Sequence, residues 1–346
     1  MGVLGLERLR RPAFALGAIA SFVAVAGWAT PPYATRVLSE FTGRSLGAAD
    51  TILPRVDTTT LVALVDTVSP RADTVTAELP VLDDSLRGRS GKLLARLVTR
   101  ARASLAVPLL ERLFGDTAVA RPGVYALPDS LVAQPFTFIA LRPFSDKQNG
   151  RVGSYRIGFW PSERGRSLKD AYENPEGFIE VTPENQDTQV SEHFRLRDFL
   201  THDQKDVWPK YLVLHEDLID KLELVIADLE QNGVKVKRMA VMSGFRTPWY
   251  NRHGGKTGGR AELSRHMYGD AADVFIDNNG DGRMDDLNHD RRVDSKDARV
   301  ILRAVERVER QHPELSGGVG VYRATRAHGP FAHVDVRGWR ARWGRA

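Results

Sequence analysis

Apolar positions recur at helical spacing in two places along the chain. Leu214, Leu218, Leu222, Val225, Ile226 and Leu229 fall on one face of a 3.6-residue repeat, and Gly233 stands just beyond as a natural stop. Residues 298–308 repeat the pattern. Elsewhere the apolar runs are short, aromatic or β-branched, and bounded by Gly, Pro or Asn. Those at 136–141, 155–159, 178–181, 237–242, 271–276, 319–322 and 332–336 predict strands. Residues 194–200 lead toward the first helix, and 243–251 read as a polar loop.

The first residues have another texture. Arg8, Arg10 and Arg11 precede an uncharged run at 13–29, and Pro31 and Pro32 close it. This is the layout of a signal peptide or a short N-terminal membrane anchor over 1–34, so export to the periplasm or cell envelope is expected. Residues 35–122 are rich in Thr, Asp, Ser, Pro and Arg and read as a linker, with helical patches at 93–105 and 107–114. Residues 123–189 predict a small β-rich module, with the alternative that their strands extend the domain that follows. Residues 190–346 alternate helix and strand. The class expected is α+β.

Charge and composition narrow the chemistry. A net charge of +5 and a pI of 9.4 suit an anionic surface such as a cell wall. No basic stripe with interleaved aromatics marks a nucleic-acid partner. The chain has no cysteine, which excludes disulfides, thiolate ligands, a cysteine nucleophile and a lipid-bearing N-terminal cysteine. Any metal must be held by His and carboxylates.

Three segments carry that chemistry. Ser264-Arg-His266-Met-Tyr-Gly269-Asp-Ala271-Ala-Asp273 places an imidazole and a carboxylate on either side of a tight, small-residue reversal. Phe331-Ala-His333-Val-Asp335-Val-Arg337 offers a third ligand, His333, on a strand. Ser243-Gly-Phe-Arg246-Thr-Pro248-Trp-Tyr-Asn251 is a polar loop after a strand and carries a cation, Arg246. Zinc without thiolates takes three such nitrogen and oxygen ligands and keeps one position open.

In these segments the chain resembles the zinc D-Ala-D-Ala peptidases, which share a fold with the Hedgehog signalling domain and the lysostaphin-type group. The family's Ser-x-His-x-x-Gly-x-Ala-x-Asp motif is matched without a gap, and its later His falls on His333. The resemblance covers roughly 190–340. It implies a small antiparallel sheet with flanking helices, zinc held by His266, Asp273 and His333, and hydrolysis of peptidoglycan peptides by carboxypeptidase or endopeptidase action. Many relatives carry a general base just before the last ligand, where this chain has Pro330 and Phe331. Asp335 is then the first expected base and His328 the second. Arg246 is expected to bind the developing oxyanion or a substrate carboxylate, with Ser264 beside it.

Between the second ligand and the second helix, 277–297 carries oxygen-bearing side chains at alternate positions. Asp277, Asn279, Asp281, Gly282 and Asp285 follow the register of an EF-hand loop. Asp286, Asn288, Asp290, Asp294 and Asp297 follow it again, in a form that resembles a dockerin loop with Arg291 in place of the turn glycine. Structural calcium is expected here. The rival reading of the chain is a non-catalytic, calcium-dependent docking or cell-wall-binding module. The zinc triad speaks against it, because a docking module has no use for one.

Overall fold

The computed structural model describes residue 89 and residues 96–98, 121–126, 137–166, 168–254 and 260–344. Contacts divide the chain into two units, and these residues all belong to the second, Pro70–Val107 with Val119–Ala346. The expected signal or anchor segment and the patch at 107–114 lie outside the described residues. Among the described residues no helix is long and apolar enough to cross a membrane.

Within 93–105 the chain forms a strand at Arg96–Val98 (β1), where the pattern predicts helix. β1 pairs in parallel with Thr137–Ala140 (β3), whose other edge takes Gly123–Ala126 (β2) antiparallel. Helix propensity is a weak preference, and sheet pairing overrides it here. Arg142–Pro143 (β4) follows, then a hairpin of Arg151–Val152 (β5) and Tyr155–Arg156 (β6). Gly177–Val181 (β7) lies between β4 and Lys210–Leu212 (β8) in an antiparallel sheet.

That pairing corrects the expected boundary at 189/190. β8 belongs to the supposed catalytic domain, yet it completes a sheet with β7. Trp160 Nε1 donates to the Met267 carbonyl at 2.9 Å, and Trp249 N–H donates to Ile157 O at 2.8 Å. Ile139, Trp160, Phe178, Leu222, Val274 and Val334 share one continuous buried core. The strands of 137–181 are part of the domain that follows them.

The second sheet is the one that matters for function. Met239–Ser243 (β9), Ala271–Ile276 (β10), Gly318–Tyr322 (β11), Phe331–Asp335 (β12) and Ala341–Trp343 (β13) lie in the order β13-β11-β12-β10-β9. All neighbours are antiparallel except β11 with β13. The architecture is α+β, as the sequence predicts.

Two long helices cover one face. Glu216–Gln231 (α1) buries Leu218, Leu222, Val225, Ile226 and Leu229, each worth about 1.5–3 kcal/mol relative to exposure. Between them in sequence, Thr247 caps a six-residue helix, Pro248–His253 (α2), with Oγ1 accepting from Tyr250 N–H. A Thr cap followed by Pro at the first helical position explains a helix where the pattern predicts a polar loop. Ser295–Gln311 (α3) packs on β11, β12 and α1, and Arg307 pairs with Asp228 across the two helices.

Successive residues of a strand point to opposite faces. Ala272, Val274 and Ile276 therefore join Ala332 and Val334 in the core. Asp273, His333 and Asp335 share the other face. The fold thus mounts its polar residues on the side of the sheet away from the long helices.

Candidate metal centre

Asp273 on β10 and His333 on β12 are directly opposite each other in the antiparallel ladder. His266 reaches them from a single 3-10 turn, Arg265–Tyr268. Gly269 ends that turn with φ +72°, and a Cβ there would lie 2.3 Å from Val213 O. Only glycine fits. His266 O accepts from Arg246 N–H at 3.0 Å and Gly269 O from His215 N–H at 2.9 Å, so the turn is clamped at both ends.

The three buried side chains converge. His266 Nε2 lies 3.2 Å from His333 Nδ1 and 3.3 Å from Asp273 Oδ1, and His333 Nδ1 lies 2.9 Å from Asp273 Oδ1. Zinc bonds of about 2.0–2.1 Å at tetrahedral angles put ligand atoms about 3.3 Å apart. The triangle fits a zinc-sized ion. Each imidazole is also committed at its other nitrogen. His266 Nδ1–H donates to Gly244 O at 2.7 Å, and His333 Nε2–H donates to Asp335 Oδ2 at 3.1 Å. These bonds fix the orientation of both rings and aim the second nitrogen of each at Asp273.

Electrostatics agree with the geometry. Burial holds His266 below the usual histidine range. Burial also lowers His333, but hydrogen bonds to Asp273 and Asp335 outweigh it and raise it to about 9. Burial raises Asp273, and His266 and His333 overcome this to hold it well below the usual carboxylate range. Without metal, a proton on His333 neutralises part of the cluster; a metal at Nδ1 would displace it.

Arg246 donates through Nη2 to Asp273 Oδ2 at 2.6 Å and through Nε to Ser243 Oγ at 2.8 Å. Ser243 faces Asp273 across β9 and β10, where the register shifts between Asp273 and Val274. Such irregularities re-aim side chains next to functional sites. Ser264 is buried just before the turn, and its carbonyl accepts from Met267 N–H at 3.1 Å. It caps the turn that carries His266 without a side-chain cap bond.

Asp335 is not placed as a base. It is fully buried, and it stands behind His333, on the ring edge away from the ligand nitrogen. Its Oδ1 accepts from Gly318 N–H at 2.6 Å and from Arg337 Nε at 2.9 Å, and Arg337 Nη2 donates to Oδ2. Burial raises its pKa, but His333 and Arg337 hold it far below the usual range. It orients His333. His328, the second expected base, donates from Nδ1 to Gly329 O at 2.8 Å and meets the Phe331 ring edge-on at 5.0 Å. It lines a groove of about 370 Å³ with His202, Phe275 and Asp277, and none of the three ligand residues lines that groove.

Asp335→Asn separates orientation from base catalysis. As an orienting residue, its loss weakens zinc binding by about 10–100-fold, while turnover of the zinc-saturated protein stays close to that of the parent. Competition with a zinc-binding dye measures the first and steady-state assay at saturating zinc the second. Unchanged zinc affinity with turnover down by about 100-fold or more would restore Asp335 as the base.

Three residues at the centre carry no chemical signal in the sequence. Trp343 on β13 lies 5.2 Å from the His333 ring, and its Nε1 donates to Tyr322 Oη at 2.8 Å. A Cβ on Gly320 would lie 2.1 Å from Trp343 Nε1, so glycine makes room for the indole. Tyr322 stacks on Phe331 at 4.5 Å. The alternation of Arg340 and Arg342 with Ala341 and Trp343 is the only trace of β13 in the sequence.

The fold and the site together define an α+β protein with a buried His-Asp-His group on the face of a mostly antiparallel sheet away from the long helices. No family model, curated protein or solved structure matches the chain.

Proposed function

We propose that this chain is a zinc metallopeptidase that hydrolyses peptide bonds of peptidoglycan stem peptides, acting outside the cytoplasm in cell-wall remodelling. One observation carries the reading. Two imidazole nitrogens and one carboxylate oxygen meet within 3.3 Å, with both rings oriented by other bonds. The substrate class rests on the likeness of the segments around Arg246, His266 and His333 to the D-Ala-D-Ala peptidases.

His266, Asp273 and His333 would hold the metal. When bound, zinc supplies Lewis acidity toward water and a scissile carbonyl. The remaining work falls to the chain. Arg246, anchored on Asp273 and Ser243, presents its other N–H groups to a substrate carboxylate or developing oxyanion. Trp343 and Tyr322 wall the site beside His333. His328 is the remaining candidate base. Its Nδ1–H donates to Gly329 O, and the ring packs on Phe331, whose side chain shares the metal face.

Purified peptidoglycan incubated with the zinc-loaded chain is expected to release fragments with new peptide termini, identified by mass. His328→Ala should keep its zinc and release them about 100-fold more slowly. A zinc-loaded chain that releases no fragments would sink the peptidase reading and favour the non-catalytic binding module.

A further inference from the structure

Two stretches after β10 make the same turns. In the first, Gly282 N–H donates to Asp277 Oδ2 at 3.1 Å, Asp281 N–H to Asn279 Oδ1 at 2.9 Å, and Arg283 N–H to Asp281 Oδ1 at 2.9 Å. In the second, Arg291 N–H donates to Asp286 Oδ2 at 2.8 Å, Asp290 N–H to Asn288 Oδ1 at 2.8 Å, and Arg292 N–H to Asp290 Oδ1 at 3.0 Å. Gly280 and Gly282 are left-handed in one, His289 and Arg291 in the other. Acidic turns of this kind form without ions, so their shape alone assigns nothing.

The two loops differ in what their carboxylates still need. Asp277 is fully buried, and its Oδ1 has no hydrogen-bond partner. Its other oxygen is occupied by the loop's own Gly282 N–H and by Arg238 Nη1 at 3.2 Å. The Gly282 bond turns the carboxylate toward the loop interior. A buried, charged oxygen without a donor is costly and calls for a partner. The second loop has no such orphan. Asp297, also fully buried, accepts from Leu287 N–H at 2.9 Å and Asp294 N–H at 2.8 Å. Lys296 Nζ sits 2.9 Å from Asp290 Oδ2, so an ammonium already stands among those acids.

We propose that the loop 277–288 binds one calcium ion on Asp277 and that the loop 286–297 binds none. Asp277, Asn279, Asp281 and Asp285 supply side-chain oxygens, and the Arg283 carbonyl supplies another. An all-oxygen set with amide and main-chain members in a flexible loop suits calcium. Magnesium demands stricter octahedral geometry, and zinc prefers nitrogen. Among the described residues, His266, Asp273 and His333 are the one group of His and acidic ligands whose atoms already lie within 4.8 Å. The carboxylates of the calcium loop are not gathered in that way, so binding an ion requires Asp277, Asp281 and Asp285 to draw together. Asp277 follows β10 directly, so the ion would pin the end of the strand that carries Asp273. Calcium at this loop does not depend on the peptidase reading.

The test is a calorimetric titration of the zinc-saturated full chain with calcium chloride, paired with thermal melts and a magnesium chloride control. The expected result is one calcium per chain, a raised Tm, and no equivalent effect of magnesium. Asp277→Asn and Asp281→Ala should each weaken binding at least about tenfold, while Asp290→Ala leaves it unchanged. If Asp277→Asn fails to fold, the exposed Asp281 carries the comparison. No calcium bound at about 1 mM, two ions per chain, equal binding of magnesium, or an Asp290→Ala loss as large as that of Asp281→Ala would each overturn the proposal.

Discussion

Alanine at His266, Asp273 or His333 is expected to remove stoichiometric zinc from the purified protein and abolish peptide release with it. The three ligand atoms form one compact triangle, and each side is a single contact of 2.9–3.3 Å. Among the described residues no further carboxylate joins the group. Asp335 is held behind His333 by Gly318 and Arg337. The three variants should also differ in stability. Asp273→Ala leaves the mostly buried Arg246 without its carboxylate partner and should be the least stable metal-free protein. His266→Ala leaves the Gly244 carbonyl without a donor and takes one of the two imidazole partners of Asp273, whose pairing with Arg246 and His333 remains. Elemental analysis after dialysis against a weak chelator reads the metal. Any one of the three variants retaining one zinc per chain would remove that residue from the ligand set.

Lys221→Ala should destabilise the fold by about 3–5 kcal/mol, the range for breaking a buried ion pair. Lys221 is completely buried on α1. Its ammonium donates to Glu309 Oε1 on α3 at 2.7 Å, to Leu315 O at 2.9 Å and to Asp335 O at 2.8 Å. It therefore ties both long helices to the strand that holds His333. Burial pulls its pKa down, and Glu309 pulls it back up. Truncation opens a cavity and strips two buried carbonyls of their donor. Glu309 keeps Arg342 and the Gly317 N–H, which limits the charge left unpaired. Lys221→Met fills most of the volume and isolates the polar part of the loss. Urea denaturation of the zinc-loaded proteins measures both. A change below about 0.5 kcal/mol in Lys221→Ala, the range of ordinary surface substitutions, would mean that the network contributes little.

Much of the centre is legible in the order of the amino acids. Both long helices follow from their apolar spacing, because a 3.6-residue stripe has one stable place, against a sheet. β3, β7, β9, β10, β11 and β12 follow from short apolar runs between turn residues. His266, Asp273 and His333 stand out through their joint pattern and its resemblance to the D-Ala-D-Ala peptidase motif, in a chain with no cysteine to offer instead. Their motif also includes Gly269, whose left-handed backbone the turn requires. The acidic register at 277–297 is equally visible, since alternate oxygens are a property of order along the chain.

The rest is decided in three dimensions. The boundary at 189/190 vanishes because β7 finds its partner in β8, and pairing across sequence leaves no trace in composition. β1 is a strand because β3 offers it an edge. β13 and Trp343 are not foreseeable, since three residues carry too little periodicity to announce a strand. The role of Asp335 turns on the same distinction. Two residues apart on a strand, it shares a face with His333, and sequence reasoning stops there. Only the packed structure shows its oxygens already engaged by Gly318, Arg337 and the far nitrogen of His333. Sequence by itself determined which side chains are available and where the chain can turn. The tertiary structure decided which of their atoms remain free, because hydrogen bonds between distant segments exist only once those segments have packed.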